Sequence, residues 1–435
     1  MKRKSFKKNK YKISIIGLGY VGLPLAIEFG KKFDVVGFDT NYQRLKELKL
    51  GFDRNSEIKK NDLKKIKKLI FTSDLKNLEN CNIYIIAVPT PIYKDKTPNL
   101  SFLENATKLV AKVLKPGNIV IYESTVYPGT TDDFCAPILE KISGLKYITF
   151  KNQDNVKKGF YCGYSPERIN PGDKKHTIKN VCKIISGSTP KVTNIINNLY
   201  KKIISAGTYK AENIRVAEAA KIIENTQRDI NIALINELKI IFDKLDINTF
   251  SVLNAASTKW NFLRFVPGLV GGHCIGVDPY YLTYKAKSVG YKPKVVLAGR
   301  KINDEMGFYI VKRFMKKIKN VNNNKNIRIL IMGITFKENC SDLRNSRIPD
   351  IIQVLKKNNF NVDVYDPIAD PKSIHKEFNI KPISILKPKK YDGIIIAVAH
   401  NQFKKIGIKK IQNLCKNKKV IFDLKNMFGK IDSIN

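Results

Sequence analysis

Short apolar runs rich in β-branched residues alternate with longer mixed segments along most of the chain. The first 150 residues contain the runs YKISIIGLGY, DVVGFD, NIYIIAVPTP, NIVIYEST and KYITF, and the part after residue 326 contains IRILIMGIT, NVDVYD, DGIIIAVA and KVIFDL. Strands that alternate with helical segments indicate a parallel sheet with crossover helices. The pattern therefore predicts two α/β units, one towards each end of the chain.

A different pattern separates these two units. From Lys210 to about Leu245 the chain contains no Gly or Pro and carries apolar residues at helical spacing, which predicts one long helix that spans two domains. The segment IKNVNNNKNI, from Ile318 to Ile327, is rich in Asn and Lys and predicts a linker.

Composition indicates that most of the chain folds. Of its 435 residues, 43% are hydrophobic and 27% are charged, as in ordinary globular proteins, and this length predicts roughly two to four domains. Because no run approaches the roughly 18 uncharged apolar residues of a membrane-spanning helix, we expect no membrane segment. Seven cysteines without a Cys-x-x-Cys pair and four scattered histidines indicate neither a disulfide framework nor a metal site, so a cytoplasmic location fits best.

The chain is also strongly basic. Lys and Arg number 79 against 38 Asp and Glu residues, a formal net charge of +41, which favours anionic partners or substrates. The lysines are dispersed along the chain, and no DNA- or RNA-binding module is recognisable, so we expect no nucleic-acid partner. A basic nucleic-acid-binding protein stays as a remote alternative.

The strongest motif near the N-terminus is Gly17-Leu18-Gly19-Tyr20-Val21-Gly22, which follows a strand-like run and precedes a helix-like one. Glycines at these positions permit a tight turn and close backbone approach, so that a pyrophosphate can lie at the helix N-terminus. Asp39 ends the next strand, where a carboxylate can accept the two ribose hydroxyls and would repel a 2′-phosphate. The motif therefore predicts NAD binding and favours NAD over NADP. Arg44 could stack on adenine or be a solvated helix charge.

A second motif is Gly271-Gly272-His273-Cys274-Ile275-Gly276-Val277-Asp278-Pro279, in which a cysteine lies among glycines. Such a loop exposes a thiol to close approach, as a nucleophile requires. Adjacent side chains in an extended loop point in different directions, so we assign His273 a structural role and expect the base for Cys274 from elsewhere in the fold.

Three further segments have both a functional and a structural interpretation. Lys221 and Asn225 lie one helical turn apart within the predicted long helix, where both could belong to a solvated face. The segment Glu123-Ser124-Thr125 ends a strand-like run, where ligands of α/β sheets bind, and the segment Ser165-Pro166-Glu167-Arg168 places a carboxylate in a turn. From the residues alone, helix capping or turn formation is the favoured role for both segments.

Taken together, seven motifs in order resemble the nucleotide-sugar 6-dehydrogenases of the UDP-glucose/GDP-mannose dehydrogenase family. They are GLGYVG, Asp39, VPTP from Val88, STVYPGTT from Ser124, SPERI from Ser165, the helix EAAKIIENT, and GGHCIGVDPYYL. The likeness extends from about Lys12 to Phe428.

The resemblance implies an α/β protein with two Rossmann-like domains joined by a central helical domain that contains the long helix. We expect an NAD-binding domain at residues 1–208, a central dimerisation and catalytic domain at 209–318, and a UDP-sugar-binding domain at 319–435. It further implies a homodimer formed through the central helix.

The resemblance also implies a four-electron oxidation of a sugar C6 alcohol through a thiohemiacetal and a thioester on Cys274. Lys221 is then expected to stabilise the developing oxyanion, with support from Asn225. The groups expected to position or deprotonate water, or to act as acid or base in thioester hydrolysis, are Thr125, Glu167 and Asp278. Which of them is the base stays open.

Binding residues follow from the same resemblance. Those expected to contact NAD are Gly17, Gly19, Tyr20, Val21, Gly22, Asp39, Arg44, Pro89, Thr90, Ser124, Thr125 and Arg344. Those expected to contact the UDP-sugar are Glu167, Lys221, Asn225, Phe265, Pro267, Gly268, Gly271 and Lys337. No metal is expected.

Two departures from the family pattern bear on the sugar. Pro171 stands where some UDP-glucose enzymes have a second glutamate, and Thr258 stands where they have an arginine supplied across the dimer. The chain resembles instead the branch that makes UDP-N-acetylglucosaminuronic or galactosaminuronic acid for surface polysaccharide. UDP-glucose and UDP-N-acetylmannosamine stay as alternative substrates, and the C4 epimers are not separated.

Overall fold

The computed structural model describes residues 11–55, 58, 63, 66, 68–156, 158–168, 176–272, 275–321 and 326–429, without the side chains of residues 417–419. Contacts between residues divide the chain into two compact units. The first comprises Met1–Glu224 and Tyr280–Lys285, and the second comprises Asn225–Pro279 and Ala286–Asn435.

The first unit is built on a nine-stranded sheet within the described residues. Its strands are β1 (Lys12–Ile16), β2 (Asp34–Phe38), β3 (Leu69–Thr72), β4 (Ile83–Ile86), β5 (Ile119–Tyr122), β6 (Lys146–Tyr147), β7 (Gly159–Tyr164), β8 (Lys183–Gly187) and β9 (Thr208–Lys210). Their order is β3-β2-β1-β4-β5-β7-β8-β9, with β6 beside β7. The strands from β3 to β7 pair in parallel, whereas β8 pairs antiparallel with β7. The strand order reverses between β1 and β4, which is where open α/β sheets bind nucleotides.

Helices cover both faces of this sheet. They are α1 (Gly22–Gly30), α2 (Tyr42–Lys49), α3 (Ser101–Ala111), α4 (Ala136–Ser143) and α5 (Pro190–Tyr200). Along β4, Ile83 and Ile85 belong to one hydrophobic core, and Tyr84 and Ile86 belong to the other. Successive side chains of a strand point to opposite faces, so a strand covered on both sides needs an unbroken apolar run. Burial of one such aliphatic side chain stabilises the fold by about 1.5–3 kcal/mol.

The middle of the chain is helical. Its helices are α6 (Ile214–Lys244), α7 (Thr249–Ala256), α8 (Asp278–Ser288) and α9 (Lys294–Val321). Within the second unit, Arg300 of α9 lies 2.6 Å from Asp229 of α6, and the Asn303 side chain donates to the same carboxylate at 2.7 Å. This buried network joins the two long helices, and the predicted long helix is confirmed.

The second unit contains a four-stranded parallel sheet within the described residues. Its strands are β10 (Arg328–Met332), β11 (Asn361–Tyr365), β12 (Tyr391–Ile396) and β13 (Cys415–Asp423), in the order β11-β10-β12-β13. The helices that accompany them are α10 (Ile348–Lys357), α11 (Pro371–Phe378), α12 (Asn401–Ile406) and α13 (Ile408–Gln412). The order of these strands reverses between β10 and β12, so this sheet also has a switch point where a nucleotide can bind.

The predicted α/β class with two sheet-containing parts is confirmed, but the linker prediction is wrong at its start. Helix α9 continues to Val321, and Ile318 is fully buried in the core of the second unit. Packing of this apolar residue outweighs the modest helix propensity of the neighbouring Asn residues. The division at residues 208 and 318 stays a prediction. No helix within the described residues is both long and apolar enough to cross a membrane.

Candidate functional site

The glycine-rich turn follows β1 at the switch point of the first sheet. Gly17 has a φ of +90°, and a Cβ there would lie 2.9 Å from the Ala87 carbonyl oxygen. A Cβ on Gly22 would lie 1.8 Å from the Gly17 carbonyl oxygen, whereas a Cβ on Gly19 would have no heavy atom within 4 Å. The turn is therefore closed on the protein side and open at Gly19, directly before helix α1. This shape fits the pyrophosphate of a dinucleotide.

Two polar side chains stabilise this turn. The Leu18 amide donates to Asp39 Oδ2 at 2.8 Å, and the Leu18 carbonyl accepts from Arg44 Nε at 3.0 Å. Arg44 is 5% exposed and forms an ion pair with Asp53 at 2.8 Å, so the interpretation of Arg44 as a solvated helix charge is wrong. Asp39 lies at the end of β2 as predicted, and each of its oxygens keeps a lone pair with which it can accept a ribose hydroxyl.

The loops after β4 and β5 are joined by side-chain hydrogen bonds. Ser124 Oγ donates to the Val88 carbonyl at 2.6 Å, and Thr90 Oγ1 donates to the Thr125 carbonyl at 2.7 Å. Pro89 lies exposed within the first of these loops. Capping, which the residues alone favoured for Ser124, is therefore wrong, because its hydroxyl joins two loops beyond the strand ends. The structure brings the predicted cofactor residues Thr90, Ser124 and Thr125 together.

The segment after β7 has a similar arrangement. Ser165 Oγ donates to the Ile184 carbonyl at 2.8 Å instead of capping a helix. Glu167 is 8% exposed, and its Oε1 accepts a hydrogen bond from the Arg168 amide at 2.6 Å. The Arg168 guanidinium forms an ion pair with Glu224 of α6 at 2.6 Å, which ties this loop to the long helix.

The long helix buries both of the polar residues singled out on it. Lys221 is 7% exposed and Asn225 is 8% exposed, whereas the neighbouring Gln227 and Arg228 are exposed. A solvated face is therefore the wrong interpretation for Lys221 and Asn225. In the second unit, Asn225 Nδ2 donates to Asp278 Oδ2 at 2.6 Å, and Asp278 is 2% exposed at the first position of α8.

Glu218 on the same helix was not singled out from the sequence. Its carboxylate accepts hydrogen bonds from the Gly129 amide at 2.6 Å, the Thr131 amide at 2.9 Å and Thr131 Oγ1 at 2.7 Å. Burial raises the pKa of Glu218 to about 7, and these hydrogen bonds oppose the shift. The side chain holds the Pro-Gly-Thr-Thr loop that follows Thr125 against α6.

A cavity of about 290 Å³ lies at the switch point of the second sheet. Its lining includes the predicted substrate residues Gly271 and Lys337, together with Arg347 and Lys425. A Cβ on Gly271 would lie 2.7 Å from the Asn345 carbonyl oxygen, which explains the glycine at this position. Three cationic side chains around one cavity suit a diphosphate. Sequence patterns missed Lys425, because it lies more than 80 residues after Lys337 in an ordinary lysine-rich segment.

Three further residues expected to contact the UDP-sugar, Phe265, Pro267 and Gly268, belong to the second unit. Pro267 and Gly268 line a separate cavity of about 430 Å³ with residues of α9, and Phe265 lines neither cavity. The Asn236 side chain forms two hydrogen bonds with the Gly268 backbone. Its Oδ1 accepts from the Gly268 amide at 2.8 Å, and its Nδ2 donates to the Gly268 carbonyl at 3.0 Å.

Several predicted residues stay untested. Arg344 forms a bidentate ion pair with Asp342 in its own loop, at 2.9 and 2.6 Å. Thr258 is exposed just after α7. His273, Cys274 and Pro171 lie outside the described residues. In the part of the chain that the structure describes, no three His, Cys, Asp or Glu side chains converge as a metal site.

Sequence models of three domains match the chain. They are described as the NAD binding domain, the central domain and the UDP binding domain of the UDP-glucose/GDP-mannose dehydrogenase family, and they match residues 11–204, 215–305 and 330–430. The UDP-N-acetyl-D-glucosamine 6-dehydrogenase of Pseudomonas aeruginosa is 53% identical over 95% of this chain and 96% of its own length. The enzyme of the same name from Salmonella typhi is 54% identical over 96% of each chain. Among solved structures, the UDP-D-ManNAc dehydrogenase of Pyrococcus horikoshii matches with a TM-score of 0.85 and 30% identity, covering 97% of this chain and 96% of that chain.

Proposed function

Because the chain belongs to the UDP-glucose/GDP-mannose dehydrogenase family, we propose that it oxidises C6 of UDP-N-acetyl-D-glucosamine to the carboxylic acid in two NAD-dependent steps. This choice of substrate rests on sequence identity. The chain is 53% and 54% identical, over nearly its whole length, to two enzymes named UDP-N-acetyl-D-glucosamine 6-dehydrogenase. UDP-N-acetyl-D-mannosamine is the second candidate, because relatives named for it are 31% to 34% identical.

The reaction balances without a further oxidant. NAD⁺, when bound, accepts a hydride from C6 in each of the two oxidations. Between them, Cys274 Sγ adds to the C6 aldehyde, and loss of a hydride from the resulting thiohemiacetal leaves a thioester. Water then attacks the thioester carbon, the carbon–sulfur bond breaks, and the acid and the free thiol are released. One alcohol, one water and two NAD⁺ yield one carboxylic acid, two NADH and two protons.

Buried polar side chains of the helical region support this chemistry. Asn225 and Asp278 form a hydrogen bond of 2.6 Å, so each fixes the orientation of the other. Lys221 lies one helical turn before Asn225 on α6, and a buried ammonium beside the reacting oxygen would stabilise negative charge that develops there. Asp278, at the first position of α8, can orient or deprotonate the attacking water.

The UDP moiety is proposed to bind in the cavity that Gly271, Lys337, Arg347 and Lys425 line. This cavity lies at the carboxyl ends of β10 and β12, and the UDP binding domain of the family matches this part of the chain. The lysine and arginine side chains would contact the diphosphate oxygens through charge-assisted hydrogen bonds.

Helix α6 supports the proposal of a homodimer. Val216, Ile223, Leu234 and Ile241 are 42%, 55%, 52% and 43% exposed. Intervals of seven and eleven residues return to the same face of a helix, so these side chains form one apolar stripe. A second copy of the chain would bury this stripe.

The proposal also includes the cellular location and the domain boundaries. We propose a cytoplasmic location, which the free thiols of Cys81, Cys135, Cys162, Cys182, Cys340 and Cys415 support. We also propose the three-part division at residues 208 and 318, which the separate domain matches support.

The test is a measurement of NADH formed per sugar consumed. UDP-N-acetylglucosamine, UDP-N-acetylgalactosamine, UDP-N-acetylmannosamine and UDP-glucose are compared by kcat/KM, and the uronic acid is quantified. We expect two NADH per molecule of UDP-N-acetylglucosamine and the highest kcat/KM for that substrate. A stoichiometry of one NADH, or acid formation by Cys274→Ala at the wild-type rate, would contradict the proposed mechanism, and a preference for another sugar would contradict only the substrate.

A further inference from the structure

Four buried polar side chains from different elements of the first unit meet beside the Ser165–Arg168 segment. Glu123 follows β5, Glu167 follows β7, Lys183 begins β8, and Tyr200 ends α5. They are 1%, 8%, 2% and 0% exposed. Three ionisable groups and a phenol are costly to remove from water. The family resemblance assigns a role only to Glu167, as an acid or base in thioester hydrolysis, so the presence of the other three side chains needs an explanation.

The Lys183 ammonium is at the centre of this cluster. Its Nζ lies 2.5 Å from Glu123 Oε2, donates to the Pro166 carbonyl at 2.9 Å, and lies 4.0 Å from Glu167 Oε2. The Tyr200 hydroxyl donates to the other oxygen of Glu123. Lys183 therefore contacts both the carboxylate that precedes Ser124 and the backbone that immediately precedes Glu167.

We propose that Lys183 is a positioning residue that holds the Glu167 carboxylate in place for hydrolysis of the enzyme-bound thioester. The inference rests on the proposed function and on the acid/base role that the family resemblance implies for Glu167 in that step. The hydrogen bond to Pro166 fixes the backbone, and the ammonium attracts the carboxylate at 4.0 Å. Glu123 and Tyr200 hold the ammonium itself, so the group is oriented before substrate binds and does not have to reorganise during the reaction.

The contacts of Lys183 also argue against a purely structural role for this side chain. An ammonium that served only the stability of the sheet would need a single counter-ion, which Glu123 already provides at 2.5 Å. The additional donation to Pro166 directs Lys183 towards the loop that carries Glu167. Because hydrolysis depends on the placement of this carboxylate, a shift of about 1 Å in the loop can lower the rate by about 100-fold.

The test separates the oxidations from the hydrolysis. Lys183→Met is mixed with UDP-N-acetylglucosamine and excess NAD⁺, and NADH is followed in the first turnover while the intact protein is weighed by mass spectrometry. We expect a rapid burst of two NADH per active site, a covalent sugar adduct on the protein, and a steady-state kcat about 100-fold below wild type. Lys183→Arg should recover most of the rate, because it keeps the charge. Lys179→Met, an exposed lysine paired with Glu28 at 3.2 Å, is the matched control and should behave as wild type.

A double-mutant cycle shows whether Lys183 acts through Glu167. If it does, Lys183→Met/Glu167→Gln should be no slower than the slower single variant. Fold losses that multiply, or a Lys183→Met enzyme that hydrolyses the thioester at the wild-type rate, would overturn the inference. Should Lys183→Met not fold, Lys183→Met/Glu123→Gln removes the unpaired carboxylate and is expected to show the same burst and adduct; normal turnover of that variant also overturns it. Normal hydrolysis by Glu167→Gln would instead reject the role proposed for Glu167 itself.

Discussion

At the scale of single residues, the pair of Asn225 and Asp278 is the best-defined part of the proposed catalytic machinery. Both side chains are nearly inaccessible to water, at 8% and 2% exposure, and they are joined by a hydrogen bond of 2.6 Å. A buried carboxylate that loses such a donor loses part of the compensation for its desolvation. The pair therefore stabilises the local fold and orients Asp278 at the same time.

Replacement of Asn225 by Ala should affect both catalysis and stability. We expect the free energy of unfolding to fall by about 1–3 kcal/mol and kcat to fall by about 100-fold, since Asp278 is no longer oriented. Stopped-flow NADH formation and urea denaturation measure the two effects. Gln227→Ala, an exposed position on the same helix, should change neither, and an Asn225→Ala enzyme with wild-type kcat would contradict this role.

The carboxyl group of Glu123 predicts a pH dependence of stability. Burial raises its pKa from the usual 4.5 to about 7, with the charge of Lys183 opposing the shift and that of Glu167 adding to it. The folded chain therefore binds this proton more tightly than the unfolded chain. The resulting stabilisation is complete below about pH 4.5 and is lost as the pH rises through about 7.

Glu123→Gln should remove the contribution of Glu123 to the pH dependence of stability. Between about pH 5 and 8, the free energy of unfolding of the wild type should decrease more steeply than that of the variant in urea titrations. Glu212→Gln, at an exposed position, serves as the control and should keep the wild-type slope. A variant whose slope equals that of the wild type would show that Glu123 is already ionised across this range.

At the scale of structural elements, the turn between β1 and α1 separates two roles of glycine. A Cβ on Gly22 would collide with the Gly17 carbonyl at 1.8 Å, but a Cβ on Gly19 would enter open space. Gly22→Ala should therefore destabilise the fold, by about 1–3 kcal/mol. Gly19→Ala should keep the wild-type free energy of unfolding. It should bind NAD at least about tenfold more weakly, as measured by calorimetry. Equal NAD affinity of Gly19→Ala and wild type would place the dinucleotide elsewhere.

The loop that carries Lys337 depends on a buried histidine. His400 Nδ1 accepts from the Asn339 amide at 3.0 Å, and its Nε2 lies 3.3 Å from both Thr335 Oγ1 and Asp366 Oδ2. Because these bonds join the loop to the ends of β11 and β12, His400→Ala should loosen it. We expect the Kd for UDP to rise by about 3- to 10-fold with the Kd for NAD unchanged. His375→Ala, on the exposed side of α11, is the control, and an unchanged Kd for UDP would be evidence against this dependence.

At the scale of the whole molecule, the exposed apolar stripe of α6 predicts the assembly. A charge on Leu234, which is 52% exposed, would have to be buried if a second copy covers the helix. Leu234→Asp should therefore shift the mass measured by light scattering from dimer to monomer. Val289→Asp, on an equally apolar exposed side chain outside α6, should leave the mass unchanged. A wild-type chain that is monomeric at micromolar concentration would reject the homodimer.

Sequence patterns predicted those parts of the candidate site whose residues lie close together in the chain. Gly17, Gly19 and Gly22 lie within six residues, and the acid at Asp39 follows one strand later, so a βαβ unit with an NAD site was recognisable from spacing. The matched NAD binding domain confirms that cofactor. The contacts of Glu123 with Lys183, 60 residues away, and of Glu218 with Thr131, 87 residues away, carry no such spacing signal.

Residue order alone determined the α/β class, the long helix and the cofactor, because each depends on periodicity or on short-range backbone geometry. Only the tertiary structure decided which polar residues are buried: Lys221 and Asn225 are, whereas Gln227 and Arg228 on the same helix are not. A helical residue is buried when other elements pack against its face of the helix. Those elements come from distant parts of the chain, so local sequence does not reveal them. The same reason made Lys183 and Lys425 indistinguishable from the many solvated lysines until the fold surrounded them with their partners.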